Sequence, residues 1–411
     1  MKRNNLTLLI TSGVLFIIIG FVIIILTAPP KLDKTGYKTI DNLKVAVYSK
    51  IKVKDLLKKI DGKLETNPKI NTEELGKQEI TFIYRNKENK KRQGIVEIEV
   101  VDEEEPLVWL SGSYSVQVGS KIDLEKEILC ADNYDDKPTC KIKGKYDLNK
   151  EGTYNLTYIA KDSSNNEERV NFNLYVYEPK PVIKEETDNE EVEEAKEVSG
   201  TNFKDVVATY KEKETEIGID VSKWQGDINF KKVKKAGAQF VMIRVGAQKG
   251  IGGEYVLDPY FKKNIEKALK NNLKVGIYFY SYADGEKEAK KQAEWTLKQI
   301  KDYKISLPIA FDWECYNNFN EMELSLFGLN KVAESYLTTV EEEGYEGMLY
   351  GSKTYLNSIW KYHDYDVWLA HYTDKTDYDS HYVMWQLCQD GKIDGINGAV
   401  DINILYKKEG N

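Results

Sequence analysis

The rhythm of apolar and polar positions changes several times along this chain, and each change marks a boundary. Leu6 to Ala28 carry no charge, a run of about 23 residues that is long enough to cross a bilayer as a helix. From Lys31 to Tyr177, short alternating runs between polar turns predict β-strands. Periodicity then stops over an acidic, proline-bearing stretch that includes Pro179, Pro181 and the run from Glu185 to Glu194. From Ile217 onward, apolar runs at 217–221, 240–245, 275–280, 308–313, 347–350, 367–371, 383–387 and 400–405 alternate with amphipathic stretches at 258–271, 286–302 and 324–343. Strand–helix alternation of this kind predicts a parallel α/β fold. With about eight strands, the leading candidate is a TIM-like barrel. The short connections after Gly351 predict an incomplete helix set.

These shifts give a multidomain plan: a cytoplasmic tail at 1–5, a transmembrane helix at 6–28, two all-β modules at 31–103 and 104–178, a flexible linker at 179–213 and an α/β barrel at 214–411. A cleaved signal peptide is the competing reading of the N-terminus, but its apolar stretch would be shorter, roughly 7–15 residues. The Thr27-Ala28-Pro29-Pro30 sequence is also a poor cleavage site. Lys2 and Arg3 precede the helix while Lys31, Lys34 and Lys38 follow it, so charge orients it weakly. Long polar domains translocate largely regardless of charge, which places the C-terminal bulk outside a single-pass cell-membrane anchor.

A weak internal repeat links the two β modules. Glu74–Tyr84 leads through a polar turn to Gly94–Val100, and Asn149–Ile159 leads likewise to Val170–Val176. Each unit is about 70–75 residues, compatible with a small β-sandwich, and resembles the bacterial immunoglobulin-like modules that space or tether extracellular enzymes. They read as spacers, with wall binding as the alternative. Cys130 and Cys140 lie ten residues apart within the second module, a candidate disulfide for an oxidising exterior. The linker cannot bury enough apolar surface to order itself, and its expected role is reach.

Composition narrows the chemistry. A net charge of −8 without a basic stripe excludes nucleic acid as a partner. His363, His371 and His381 are scattered and lack cysteine partners, which is no zinc pattern. No metal or other cofactor is expected.

Four acids fall near strand ends, where barrel enzymes keep their catalytic groups: Asp220, Asp312, Glu314 and Asp401. Asp312 and Glu314 are two residues apart, so alternation along a strand points both the same way, into the barrel mouth. Phe311 and Trp313 then point outward. Two neighbouring carboxylates cannot both ionise cheaply, so one pKa should rise, as suits a general acid beside an ionised partner. Tyr278, Tyr280, Tyr350, Trp368, Tyr372 and Trp385 lie near the strand ends as a candidate aromatic stacking floor, with Gly276 leaving room beneath a bound ligand. Two roles are open for Arg244: pairing with the acidic cluster, or meeting an anionic substrate group.

The stretches that carry these residues resemble glycoside hydrolase family 25, the muramidases. In order they are Gly218-Ile219-Asp220-Val221-Ser222, Val241–Gly246, Val275–Tyr278, Pro308–Glu314, Trp368-Leu369-Ala370, Met384-Trp385-Gln386 and Gly395–Asp401. The resemblance implies a flattened barrel with fewer helices than strands, and a peptidoglycan substrate cut at the β-1,4 bond between N-acetylmuramic acid and N-acetylglucosamine. By matched position it makes Glu314 the acid/base and Asp312 its companion, with Asp220 and Asp401 completing the acidic cluster. Two departures stand out. His371 occupies a slot where a polar amide is expected, and Cys315 follows Glu314 directly, reading as a buried small hydrophobe. The N-acetyl group of the substrate points to substrate assistance, an exception to the usual two-carboxylate routes. A catalytically silent glycan-binding receptor and a structural tether are the rival classes.

Overall fold

The computed structural model describes residues 30–178, 200–316, 319–361 and 363–407. The expected membrane span at 6–28 lies outside these residues; among those described, no helix is long and apolar enough to cross a membrane. The chain divides into two compact units, Met1–Glu103 and Glu104–Asn411.

The first unit is built on a long antiparallel hairpin, Gly76–Asn86 against Lys91–Val101. Gly62–Leu64 extends one edge antiparallel, while Lys31–Leu32 and Lys44–Ala46 pair in parallel with the other. Alternate residues of the hairpin, among them Phe82, Tyr84, Val96, Ile98 and Val100, turn inward to form the core.

The second unit begins with the same device. Gly152–Lys161 pairs antiparallel with Glu167–Tyr177, flanked by Thr139–Lys143 and by Ser113–Gln117, the latter parallel. Leu156, Tyr158, Phe172 and Leu174 fill its core. Cys130 and Cys140 form a disulfide, with Cα atoms 6.5 Å apart.

The rest of that unit is a closed barrel of eight strands. In chain order the elements are α1 (Phe203–Tyr210), β1 (Thr215–Val221), α2 (Phe230–Lys235), β2 (Phe240–Gln248), β3 (Tyr255–Leu257), α3 (Phe261–Lys270), β4 (Lys274–Ser281), α4 (Glu286–Ile300), β5 (Ile309–Trp313), α5 (Phe319–Met322), α6 (Leu326–Glu342), β6 (Gly347–Ser352), α7 (Lys353–Ser358), β7 (Asp366–Ala370), β8 (Met384–Gly391) and β9 (Val400–Tyr406). Strands β1, β2, β4, β5, β6, β7 and β8 run parallel, each to the next. β9 closes the ring antiparallel to both β8 and β1, and β3 is a hairpin appendage on β2. Phe240, Met242, Tyr278, Ala310, Met348, Trp368 and Met384 plug the interior. The larger apolar shell lies outside the strands, under the helices.

Three sequence expectations need correction here. The last strand is not parallel: β9 runs backwards, so its first residues reach the mouth that the other strands reach with their last. Residues 202–210 belong with the barrel rather than the linker. Asn202 caps α1 through its side chain, and Phe203 and Val206 are buried in the barrel shell. The second β module is no free spacer either, because its Leu129 and Ala131 lie in the same buried cluster as the barrel helices. The reach expected of residues 179–213 therefore does not separate the barrel from that module.

Candidate active site

The C-terminal ends of the parallel strands open on a cleft of about 310 Å³. It is lined by Asp220, Ser222, Trp224, Gln225, Arg244, Tyr278, Tyr280, Asp312, Glu314, Tyr350, Trp368, Tyr372, Gln386, Gln389 and Asp401. Alternation along β5 explains which residues face the cleft: Ile309, Phe311 and Trp313 join the outer shell, whereas Ala310 joins the interior plug. Asp312 follows Ala310 in parity, and Glu314 emerges one residue beyond the strand on the same side. Their side chains hydrogen-bond to each other. Asp312 lies deep, 4% exposed, while Glu314 stands at the rim, where solvent reaches it.

Electrostatics distributes the proton within this pair. Burial, then the charge and hydrogen bond of Glu314, push the Asp312 carboxyl well above the usual carboxylate range, with Arg244 opposing. The Glu314 carboxyl is also raised, by desolvation first, but its hydrogen bond from Asp312 pulls the other way. Without substrate the shared proton therefore rests on Asp312 and is donated to Glu314. The sequence left open which of the two carboxyls keeps the proton. Depth decides it, since the more buried of two coupled acids is the costlier to ionise. Asp312 Oδ1 is buried and has no hydrogen-bond partner among the described residues.

A second acid pair faces the first. Asp220 on β1 and Asp401 on β9 are directly opposed in the antiparallel register, and the reversal of β9 is what brings Asp401 to the mouth. Asp401 is pushed up to about 9 by desolvation and by the charge of Asp220, with which it also hydrogen-bonds. Burial raises Asp220 too, but the hydrogen bonds it accepts favour its charged form. Asn403 Nδ2 donates to Asp220 Oδ2 at 2.8 Å and Gln386 Nε2 donates to the same oxygen at 2.9 Å. Tyr350 and Tyr372 hydroxyls each donate to Gln386 Oε1 at 3.0 Å, and Trp368 Nε1 donates to Asn403 Oδ1 at 2.8 Å. The chain of donors fixes both amides so that their N–H groups face Asp220.

Of the predicted floor, Tyr278, Tyr280, Tyr350, Trp368 and Tyr372 reach the cleft. Tyr278 and Trp368 are mostly interior plug, meeting edge to face at 5.8 Å. Trp385 does not reach it. Gln386 faces the mouth, so its neighbour Trp385 faces outward, where its ring meets Tyr210 at 5.8 Å and Nε1 donates to the His371 carbonyl. Arg244 lines the cleft but is held by Asp258, its Nε and Nη2 donating to Oδ2 at 3.0 and 2.8 Å. Gly276 does not make room for a sugar: a Cβ there would come within 2.3 Å of Met242 Sδ in the barrel interior. His371 bonds Thr376 at 2.8 Å rather than the cleft, and the polar amide at the mouth is Gln386. Cys315 is buried and takes part in no disulfide.

Gln386, Asn403 and Trp224 escaped the sequence reading. The first two were within reach of parity, since Asn403 stands two residues after Asp401 and Gln386 two after Met384. Trp224 sits in the turn after β1, where periodicity carries no signal. It is 77% exposed, and Lys223 Nζ lies 4.6 Å from its ring centroid.

A larger cavity, about 600 Å³, opens between residues 200–204 and 390–399. The acids in its lining, Asp390 and Asp394, are surface-exposed and do not form a buried pair like those of the cleft.

Comparison with known proteins supplies a family. Residues 219–396 match the model of Glycosyl hydrolases family 25. The uncharacterized protein YegX of Escherichia coli O157:H7 is 30% identical over 197 residues, covering 47% of this chain and 70% of that protein. The autolytic lysozyme of Clostridium acetobutylicum is 26% identical over 191 residues, 45% of this chain, which spans only 54% of that lysozyme's length. A family 25 glycosyl hydrolase structure from Bacillus anthracis aligns with a TM-score of 0.42 and 25% identity, covering 49% of this chain and 94% of that one. This chain belongs to glycosyl hydrolases family 25, and its barrel is a lysozyme-type glycoside hydrolase domain.

Proposed function

We propose that this protein is a peptidoglycan hydrolase of the cell surface, cutting the β-1,4 bond between N-acetylmuramic acid and N-acetylglucosamine. The uncharged stretch 6–28 is its membrane anchor, holding the β modules and barrel outside the cell. The two hairpin-based modules are immunoglobulin-like in this reading. The observation that carries the activity is the Asp312–Glu314 pair, hydrogen-bonded in one cleft beneath exposed aromatics.

Asp312 Oδ1, buried and unpartnered, suits the N–H of a substrate acetamide. When that N–H arrives, the shared proton moves to Glu314, and Asp312 becomes the acceptor that orients the acetamide. The acetamide oxygen attacks the anomeric carbon while the bond to the leaving oxygen breaks, and Glu314 gives that oxygen its proton. Glu314, now a carboxylate, takes a proton from water as the water opens the cyclic intermediate, restoring the acetamide. The Asp220–Asp401 pair supplies negative potential beneath the positive charge that develops on the sugar. Arg244 limits the total negative charge next to Asp312. Trp224 and Tyr372, the exposed aromatics of the rim, offer faces for neighbouring sugar rings.

Mass spectrometry of purified wall digested by the protein, with new reducing ends reduced by borohydride, tests the bond assignment. Muramitol ends are expected, and glucosaminitol ends would overturn it. Proton NMR of the first-formed anomer tests the route: retention is expected, and inversion rules out acetamide participation.

A further inference from the structure

The segment that leaves β5 after Glu314 is gripped from outside the barrel. Tyr316, two residues past Glu314, is buried and stacks on Tyr355 with ring centroids 3.3 Å apart. Trp109 of the second β module packs 4.7 Å from that same Tyr355. Four residues on from Tyr316, the Asn320 side chain is used in full by the module's backbone. Its Oδ1 accepts from Cys130 N at 3.2 Å, and its Nδ2 donates to the Lys126 and Ile128 carbonyls at 2.9 and 3.1 Å. Glu323 takes a left-handed backbone, φ 53°, unusual for a non-glycine residue, and pairs with Lys137 of the module at 2.7 Å.

The module then caps α6. A helix start leaves N–H groups without intrahelical partners, and here three consecutive ones are met from the module. Ser325 N donates to Asp136 Oδ1, Leu326 N to the Asp132 carbonyl and Phe327 N to the Asn133 carbonyl. The loop that supplies these acceptors is closed by the Cys130–Cys140 disulfide. A spacer module needs none of this. Trp109 on Tyr355 and Glu104 on Lys361 lie elsewhere on the barrel, but the contacts of Asn320, Glu323 and residues 325–327 fall between the strand that ends at the acid pair and the first turn of α6.

We infer that the second β module positions the Glu314 loop, acting through Asn320 as a positioning residue. Glu314 lies at the rim, one residue past its strand, where the hydrogen bond to Asp312 is the hold that β5 provides; the latch on Asn320 and the stack on Tyr316 hold the chain that follows it. This rests on the reading of Glu314 as the acid/base.

The test compares the full-length wild-type chain with Asn320→Ala and Asp136→Ala on soluble, uncrosslinked peptidoglycan strands, with near-ultraviolet circular dichroism recording the fold of each. Asn320→Ala is expected to lower kcat about tenfold while leaving KM within about twofold, because misplacing a catalytic group slows chemistry without weakening ground-state binding. Asp136 is an exposed side chain, so Asp136→Ala keeps the fold and shows the same split at about threefold. A folded Asn320→Ala with wild-type kcat, or with only KM raised, overturns the inference. If Asn320→Ala does not fold, an unchanged kcat in Asp136→Ala overturns it. A wild-type chain that does not cleave removes the reading of Glu314 itself, and this inference with it.

Discussion

Asp401 is the residue whose environment makes the sharpest statement about pH. Its carboxyl titrates near 9 in the folded protein against an ordinary 3.8, so the native state holds a proton that the unfolded chain releases. That contribution to stability is fully present below about pH 4 and is lost as pH rises through the folded value. The melting temperature of the wild-type protein should therefore fall between pH 5 and pH 9. Asp401→Asn, which cannot ionise, should flatten that slope; equal slopes in the two proteins would refute the assignment. Asp312→Asn keeps the shape of its site but cannot release a proton to Glu314. Its kcat is expected to drop about 100-fold or more with little change in KM, as for loss of a group needed only in the transition state.

Strand parity governs which side chains reach the cleft, and it separates two tryptophans that composition cannot. Trp385 packs outward in the shell, so Trp385→Ala should lose about 3–5 kcal/mol of stability by leaving a cavity, measured by denaturant unfolding, with KM unaffected. Trp224 projects from a turn into solvent, so Trp224→Ala should melt normally and raise KM for glycan strands. Parity was legible for β5, where Phe311 and Trp313 on either side of Asp312 are apolar and mark the outward face. It was misjudged on β8 because Met384, Trp385 and Leu387 are all apolar, and a strand buried on both faces shows no alternation. The eight apolar runs and the thinning of helices after β6 were readable from spacing. The reversal of β9 was not, since a strand's direction leaves no mark on its own residues.

At the scale of the whole chain, the repeat of two hairpin modules suggested two equivalent spacers. The second is instead joined to the barrel across polar and aromatic contacts, and no periodicity announces such an interface. Hydrogen exchange in rising denaturant should show amides of 152–177 and of β4–β5 losing protection together, as one cooperative unit; loss in two separate steps would contradict that coupling. The central claim concerns a smaller part of the molecule: Glu314, rim-exposed and bonded to Asp312, is the proton donor for glycosidic cleavage. The most direct measurement is a zymogram of full-length wild type and Glu314→Gln on purified cell wall, with glycan binding and circular dichroism recorded alongside. The wild type is predicted to clear the wall, while the variant binds and folds normally but clears none. Clearing by Glu314→Gln would contradict the account.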